Sequence, residues 1–129
     1  MIVFTNGVFD IIHRGHVELL NYAASRGDYL IVGINSDESV KRLKGESRPI
    51  NNQVDRANVL INFRCVDEVI IFNEDTPFEL ISKLNPDVLV KGGDYKLEEI
   101  VGNDIVKQTY TFPFVDGYST TSTIEKIKL

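Results

Sequence analysis

The chain has 129 residues, 43% apolar and 26% charged, with a net charge of −5 and a single cysteine, Cys65. That length suits one domain, expected over residues 1–129, with one buried core. No apolar run is long enough to span a membrane. The first residues lack a basic region and a small-residue cleavage site, so no secretory signal is expected. The acidic balance, with no Lys/Arg block, argues against a nucleic-acid partner. It leaves room for a small anionic ligand, because a few local cations can outweigh the global sign. One cysteine cannot form an internal disulfide and fits a reducing cytoplasm.

The elements alternate. Ile2–Thr5 reads as a short apolar strand, and Gly15–Arg26 as a helix with Val17, Leu20 and Ala24 on one face, stopped by Gly27. Tyr29–Asn35 is a continuous apolar run, as in a strand buried on both faces. Asp37–Leu43 reads as a short helix, Gln53–Phe63 as a longer one and Val66–Phe72 as a strand. Thr76-Pro-Phe-Glu79 has the form of a capping box with proline at the first helical position. The helix it opens should end near Leu84, because Asn85-Pro86 blocks continuation. Val88–Lys91 and Thr109–Phe114 read as strands, and Ser119–Ile127 as a closing helix.

Strands alternating with helices predict an α/β fold, a Rossmann-like three-layer α/β/α sandwich on a five-stranded parallel sheet. Ligands in such sheets bind beyond the carboxyl ends of the strands. Asn6–Asp10, Asn35–Asp37, Lys91–Asp94 and Phe114–Gly117 should therefore converge on one edge. No G-x-G-x-x-G follows the first strand, so a dinucleotide cofactor is not expected.

His13 and His16 stand three residues apart at the predicted start of a helix, where they can face the same way. Imidazole donates hydrogen bonds to phosphate without a permanent charge. Gly15 lets a phosphate approach the backbone, and the helix start adds unpaired N–H groups. The same two histidines also suit a helix cap plus a surface position. With Asp10 they form D-x₂-H-x₂-H, but no fourth metal ligand is evident and Cys65 lies far off in sequence. Ser119-Thr-Thr121 suits an N-cap, yet three hydroxyls beside free helix N–H groups also make a phosphate cradle. In Lys91-Gly-Gly-Asp94 the lysine is a candidate for a substrate phosphate and Asp94 for a hydroxyl, although a plain turn uses the same residues. Asp10 is a candidate to orient a histidine or accept a substrate hydroxyl. Asn6 and Phe9 would line the same mouth.

The run Thr5-Asn-Gly-Val-Phe-Asp-Ile-Ile-His-Arg-Gly-His16 resembles the H-x-G-H signature of the cytidylyltransferase-like nucleotidyltransferases. The resemblance continues through Arg42–Pro49, Asp75-Thr-Pro77, Val90-Lys-Gly-Gly-Asp-Tyr95 and Asp116-Gly-Tyr-Ser-Thr-Thr121, and so covers nearly the whole chain. Together with K-G-G-D-Y it is similar to the D-glycero-D-manno-heptose 1-phosphate adenylyltransferases, including the adenylyltransferase half of the bifunctional heptose kinase enzymes. No kinase half is expected in this chain. The resemblance implies transfer of a nucleoside monophosphate from a triphosphate, ATP favoured, to a sugar phosphate, with release of pyrophosphate. It implies Mg²⁺ carried in with the triphosphate, for which no protein ligand is named, and a homodimer.

By the same resemblance His13 and His16 would hold the α- and β-phosphates, and Lys44 would bring a charge across the α-phosphate, with Lys41, Arg42 and Arg48 as rivals. Arg56 matches a phosphate-contacting arginine. Ser119, Thr120 and Thr121 match the run that holds the β- and γ-phosphates. Thr5, Asn6, Gly7, Phe9, Gly15 and Gly92 would complete the nucleotide site, and Asp10, Lys91 and Asp94 the acceptor site. There is one departure. The glycerol 3-phosphate and choline phosphate cytidylyltransferases carry Arg-Thr ahead of the last run, where this chain has Phe114-Val115. That weakens a glycerol 3-phosphate reading and leaves open which cation does the arginine's work. The alternatives are a CTP-dependent enzyme acting on another polyol or sugar phosphate, and a nucleotide-binding module without turnover.

Overall fold

Side-chain alternation in the strands builds the core. In a computed structural model, which describes residues 1–128, Val3, Val32, Val88 and Val90 face one layer, while Phe4, Ile31 and Leu89 face the other. This is the period of two expected of strands covered on both sides. The strands are β1 (Ile2–Gly7), β2 (Tyr29–Asn35), β3 (Glu68–Phe72), β4 (Val88–Gly92) and β5 (Gln108–Phe112). They form one sheet in the order β3-β2-β1-β4-β5, and every neighbouring pair is parallel. The helices are α1 (Arg14–Ala24), α2 (Asp37–Lys44), α3 (Gln53–Ile61), α4 (Phe78–Leu84) and α5 (Thr120–Lys128). Leu20, Ala23 and Leu60 from α1 and α3 close one layer, and Ile81 of α4 closes the other with Ile100. The chain runs outward from β1 to β3, then returns to β4 on the far side of β1. The strand order therefore reverses at β1 and β4, where parallel α/β sheets open a crevice.

Gly33 is needed in the middle of β2. A Cβ there would stand 2.7 Å from Phe4 Cζ, so its absence lets the Phe4 ring lie across the strand.

The predicted elements are all present, with shifted ends. β1 runs on to Gly7, its last residues pairing Asn6 with Gly33 and Gly7 with Ile34. β5 stops at Phe112, because Pro113 has no N–H to continue the ladder. The expected capping box at Thr76–Glu79 does not form. Pro77 itself takes the cap position, no side chain caps the helix, and α4 starts at Phe78. Its end is as expected, with Asn85 in the left-handed conformation at φ 48°. Two 3₁₀ turns, Leu97–Glu99 and Asn103–Ile105, carry no periodicity in sequence; between them Ile100 is buried in the second layer. Among the described residues no helix is long and apolar enough to cross a membrane.

Candidate active site

A cleft of about 520 Å³ opens at the carboxyl ends of the strands, between β1 and β4. Its floor is the loop after β1. Phe9 and Ile11 are held there at φ 52° and 49°, a conformation that non-glycine residues adopt only under constraint. The constraint has a visible source, for the Phe9 ring is buried in the core and lies under His16, 5.2 Å between centroids.

The two histidines start α1 and bond reciprocally with its backbone. His13 is the N-cap, its Nδ1 accepting from the Gly15 N–H at 3.0 Å. His16 reaches back, its Nδ1 accepting from the His13 N–H at 3.2 Å. The rings stack with centroids 3.8 Å apart. An Nδ1 that accepts a hydrogen bond carries no proton, so each neutral ring holds its proton on Nε2. Burial lowers the pKa of His13 and, with the neighbouring His13 ring adding to it, pushes His16 down to about 4. Both rings are therefore neutral donors at physiological pH. Gly15 makes the arrangement possible: a Cβ there would meet His13 Cε1 at 2.9 Å and Nδ1 at 3.0 Å.

Most of the residues expected at the site do line this cleft. Asn6, Gly7, Phe9, His13, Gly15 and His16 come from the β1 end. Lys44 comes from the end of α2, Lys91 and Gly92 from β4, and Ser119, Thr120 and Thr121 from the start of α5. Lys91 is half-buried. Burial lowers its pKa first and the charge of Lys44 second, so two cations face the same space. The hydroxyls at α5 are not equivalent. Ser119 caps the helix by accepting from the Ser122 N–H at 2.9 Å, and Thr120 donates to the Asp10 carbonyl at 2.6 Å. Thr121 is exposed, and the first N–H groups of α5 stay free by helix geometry.

Four expected residues lie elsewhere. Arg56 is 2% exposed and does not line the cleft. Its guanidinium donates to the carbonyls of Asn51 (2.9 Å), Val8 (2.9 Å) and Asn35 (2.8 Å), and to Asp37 Oδ1 at 2.9 Å. It ties the ends of β1 and β2 to α2 and α3, spending four of its five N–H groups on the protein away from the cleft. Asp10 is 1% exposed, and its carboxylate accepts from the N–H groups of Ile50 (2.6 Å) and Asn51 (3.0 Å). It anchors the segment between α2 and α3 beneath the cleft. Thr5 is buried one step below, its hydroxyl without a partner. Asp94 is exposed and outside the lining, because Gly93 at φ 117° turns the chain so that Tyr95, not Asp94, comes to the cleft.

Tyr95 and Tyr118 are cleft residues that the sequence did not single out; Tyr118 stands 6.4 Å from the His13 ring between centroids. With Phe114 they give the rim three exposed aromatic rings. An aromatic residue just ahead of a helix start was the available signal for Tyr118. Taken together the cleft offers neutral N–H donors, a helix N-terminus, two converging lysines and stacking surfaces, a set that suits an aromatic base carrying phosphates.

Residues 4–126 match the model of the cytidylyltransferase-like family. The bifunctional protein HldE of Campylobacter concisus (strain 13826) is 61% identical over 127 residues, and that of Helicobacter pylori (strain J99 / ATCC 700824) is 54% identical over 127 residues. Each alignment covers 98% of this chain but only 27% of the relative, so the chain spans about a quarter of the length of these proteins. A solved structure, the lipopolysaccharide core biosynthesis protein from Thermoplasma volcanium GSS1, superposes with a TM-score of 0.76 at 27% identity, covering 90% of this chain and 98% of that one. The chain belongs to the cytidylyltransferase-like family of nucleotidyltransferases.

Proposed function

We propose that this cytidylyltransferase-like enzyme transfers the adenylyl group of ATP to D-glycero-D-manno-heptose 1-phosphate and releases pyrophosphate. One observation carries the chemistry: His13 and His16 each spend Nδ1 on a backbone N–H and present Nε2–H at the cleft. An oxygen of the acceptor phosphate attacks the α-phosphorus and forms a new P–O bond. The α–β anhydride bond breaks, and its electron pair leaves with pyrophosphate. Charge grows on the α-phosphate and on the departing oxygen, where fixed N–H donors stabilise it without reorganising. The free N–H groups of α5 suit the β- and γ-phosphates, while Lys44 and Lys91 offset the charge between the two anions. No covalent enzyme intermediate is required, and the rest of the rate comes from positioning.

Magnesium fits as a companion of the triphosphate. Among the described residues no group of three His, Cys, Asp or Glu could hold a metal, and the Asp10 carboxylate is taken by two N–H groups. When bound with the nucleotide, the ion would shield the phosphate charge while keeping most of its waters.

The acceptor assignment rests on the K-G-G-D-Y run and on the likeness, along almost the whole chain, to relatives described as bifunctional proteins. Phe114 supports it from the other side, since an apolar residue stands where the glycerol 3-phosphate branch carries arginine. A cytoplasmic homodimer is part of the proposal. Pyrophosphate release, with ATP, CTP, GTP and UTP each set against heptose 1-phosphate and glycerol 3-phosphate, tests it. Turnover is expected with ATP and heptose 1-phosphate. Turnover with CTP and glycerol 3-phosphate would overturn the substrates, and nucleotide binding without turnover in any pair would favour a binding module.

A further inference from the structure

The segment from α2 into α3 contributes two inward-facing arginines, and the protein treats them differently. Arg56 spends four of its five N–H groups on acceptors of the chain itself. Arg48 lines the cleft with a side chain only 14% exposed, and its buried Nε has no hydrogen-bond partner. The facing carboxylate oxygen, Asp10 Oδ2, is 3.9 Å from that Nε, beyond hydrogen-bond reach. The same oxygen already accepts from the Ile50 N–H at 2.6 Å. A buried N–H of a charged group without an acceptor is unfavourable. The side chain lines the cleft, so its donors can meet a ligand that enters there.

We infer that Arg48 binds the phosphate tail of the incoming nucleotide at the end of the cleft where α5 begins. The inference rests on the reading of the cleft as a nucleotide site. Asp10 sets the location: its carboxylate faces Arg48, and its carbonyl accepts from Thr120 Oγ1 at 2.6 Å. One buried residue thus holds the arginine and the start of α5 together, and Asp10 acts as a positioning residue. Charge sets the ligand. The two histidines donate hydrogen bonds but bring no charge, and the stretch Pro113–Tyr118 leading into α5 contains no lysine or arginine. A planar guanidinium offers paired N–H groups that match two phosphate oxygens, which a lysine cannot do.

The test compares ATP, inorganic pyrophosphate and AMP binding to wild type, Arg48→Met and Arg48→Lys, with the melting temperature of each ligand-free protein. Arg48→Met is expected to weaken ATP and pyrophosphate by about 10- to 100-fold, as for loss of charge-assisted hydrogen bonds, and to leave AMP unchanged. The ligand-free variant is expected to melt somewhat below wild type, because the buried Asp10 carboxylate loses the positive charge that faces it, and unchanged AMP affinity shows that the folded cleft is intact. Arg48→Lys should recover the affinity only in part. Equal losses for AMP and ATP would overturn the inference. So would unchanged pyrophosphate affinity with a raised KM for the sugar phosphate, which would move Arg48 to the acceptor. Failure of wild type to bind ATP or pyrophosphate would overturn the nucleotide reading itself.

Discussion

Replacing Arg56 by lysine separates the role suggested by its place in the sequence from the role its geometry assigns. The guanidinium makes four hydrogen bonds in different directions, three to carbonyls and one to Asp37. A lysine ammonium is a single point at the end of a flexible stem and cannot reach together acceptors just after β1, at the end of β2, on α2 and just before α3. At least two buried acceptors would lose their donor, at about 1–3 kcal/mol each. The expected cost is therefore about 3–5 kcal/mol, the range for breaking a buried charged network. Urea unfolding should show this as a lowered midpoint with unchanged slope. ATP affinity of the folded variant, measured below the transition, should stay close to wild type. Wild-type stability together with a tenfold or greater loss of ATP affinity would refute the reasoning and return Arg56 to the phosphates.

By NMR the two imidazoles should appear as Nε2–H tautomers, with His16 titrating near 4 and His13 below its ordinary value. Because the folded pKa values lie below the unfolded value of about 6.5, the unfolded chain takes up these protons first. Stability from this source is complete above pH 6.5 and is lost as pH falls toward 4. A His16 midpoint near 6.5 in the free protein would contradict the geometry. Gly15→Ala should displace His13 from its cap, lowering stability by about 1 kcal/mol and kcat by about 10- to 100-fold through misplacement, while far-UV circular dichroism stays unchanged. Thr5→Val removes a buried hydroxyl that has no partner, so thermal unfolding should show equal or slightly greater stability, by up to about 1 kcal/mol. Unchanged ATP affinity in that variant would place Thr5 beneath the site rather than in it.

The sheet was legible because its signals are local. Leu30–Ile34 is apolar on both faces, Asn85-Pro86 stops α4, and the alternation of elements leaves few topologies. The histidine pair was legible for the same reason, since spacing of three at a helix start fixes a shared direction. Arg56 and Asp10 were misjudged because a charged residue reads the same in sequence whether it meets a ligand or a carbonyl. Their partners, Val8, Asn35 and Ile50, are distant in the chain and bond through backbone atoms that sequence does not display. Asp94 was lost to a single torsion at Gly93. The third hydroxyl of Ser119-Thr-Thr121 remains available only because the first two are engaged by Ser122 and Asp10, the latter more than a hundred positions away.

In the proposed reaction two neutral imidazoles stabilise charge on a phosphate during nucleotidyl transfer. The most direct measurement is the rate of pyrophosphate release from ATP and D-glycero-D-manno-heptose 1-phosphate, wild type beside a folded His16→Ala variant. Turnover by wild type and a loss of about 10²–10³-fold in the variant, the usual effect of removing one such donor, is the predicted result. Equal rates in the two proteins, or no release by wild type, would contradict it.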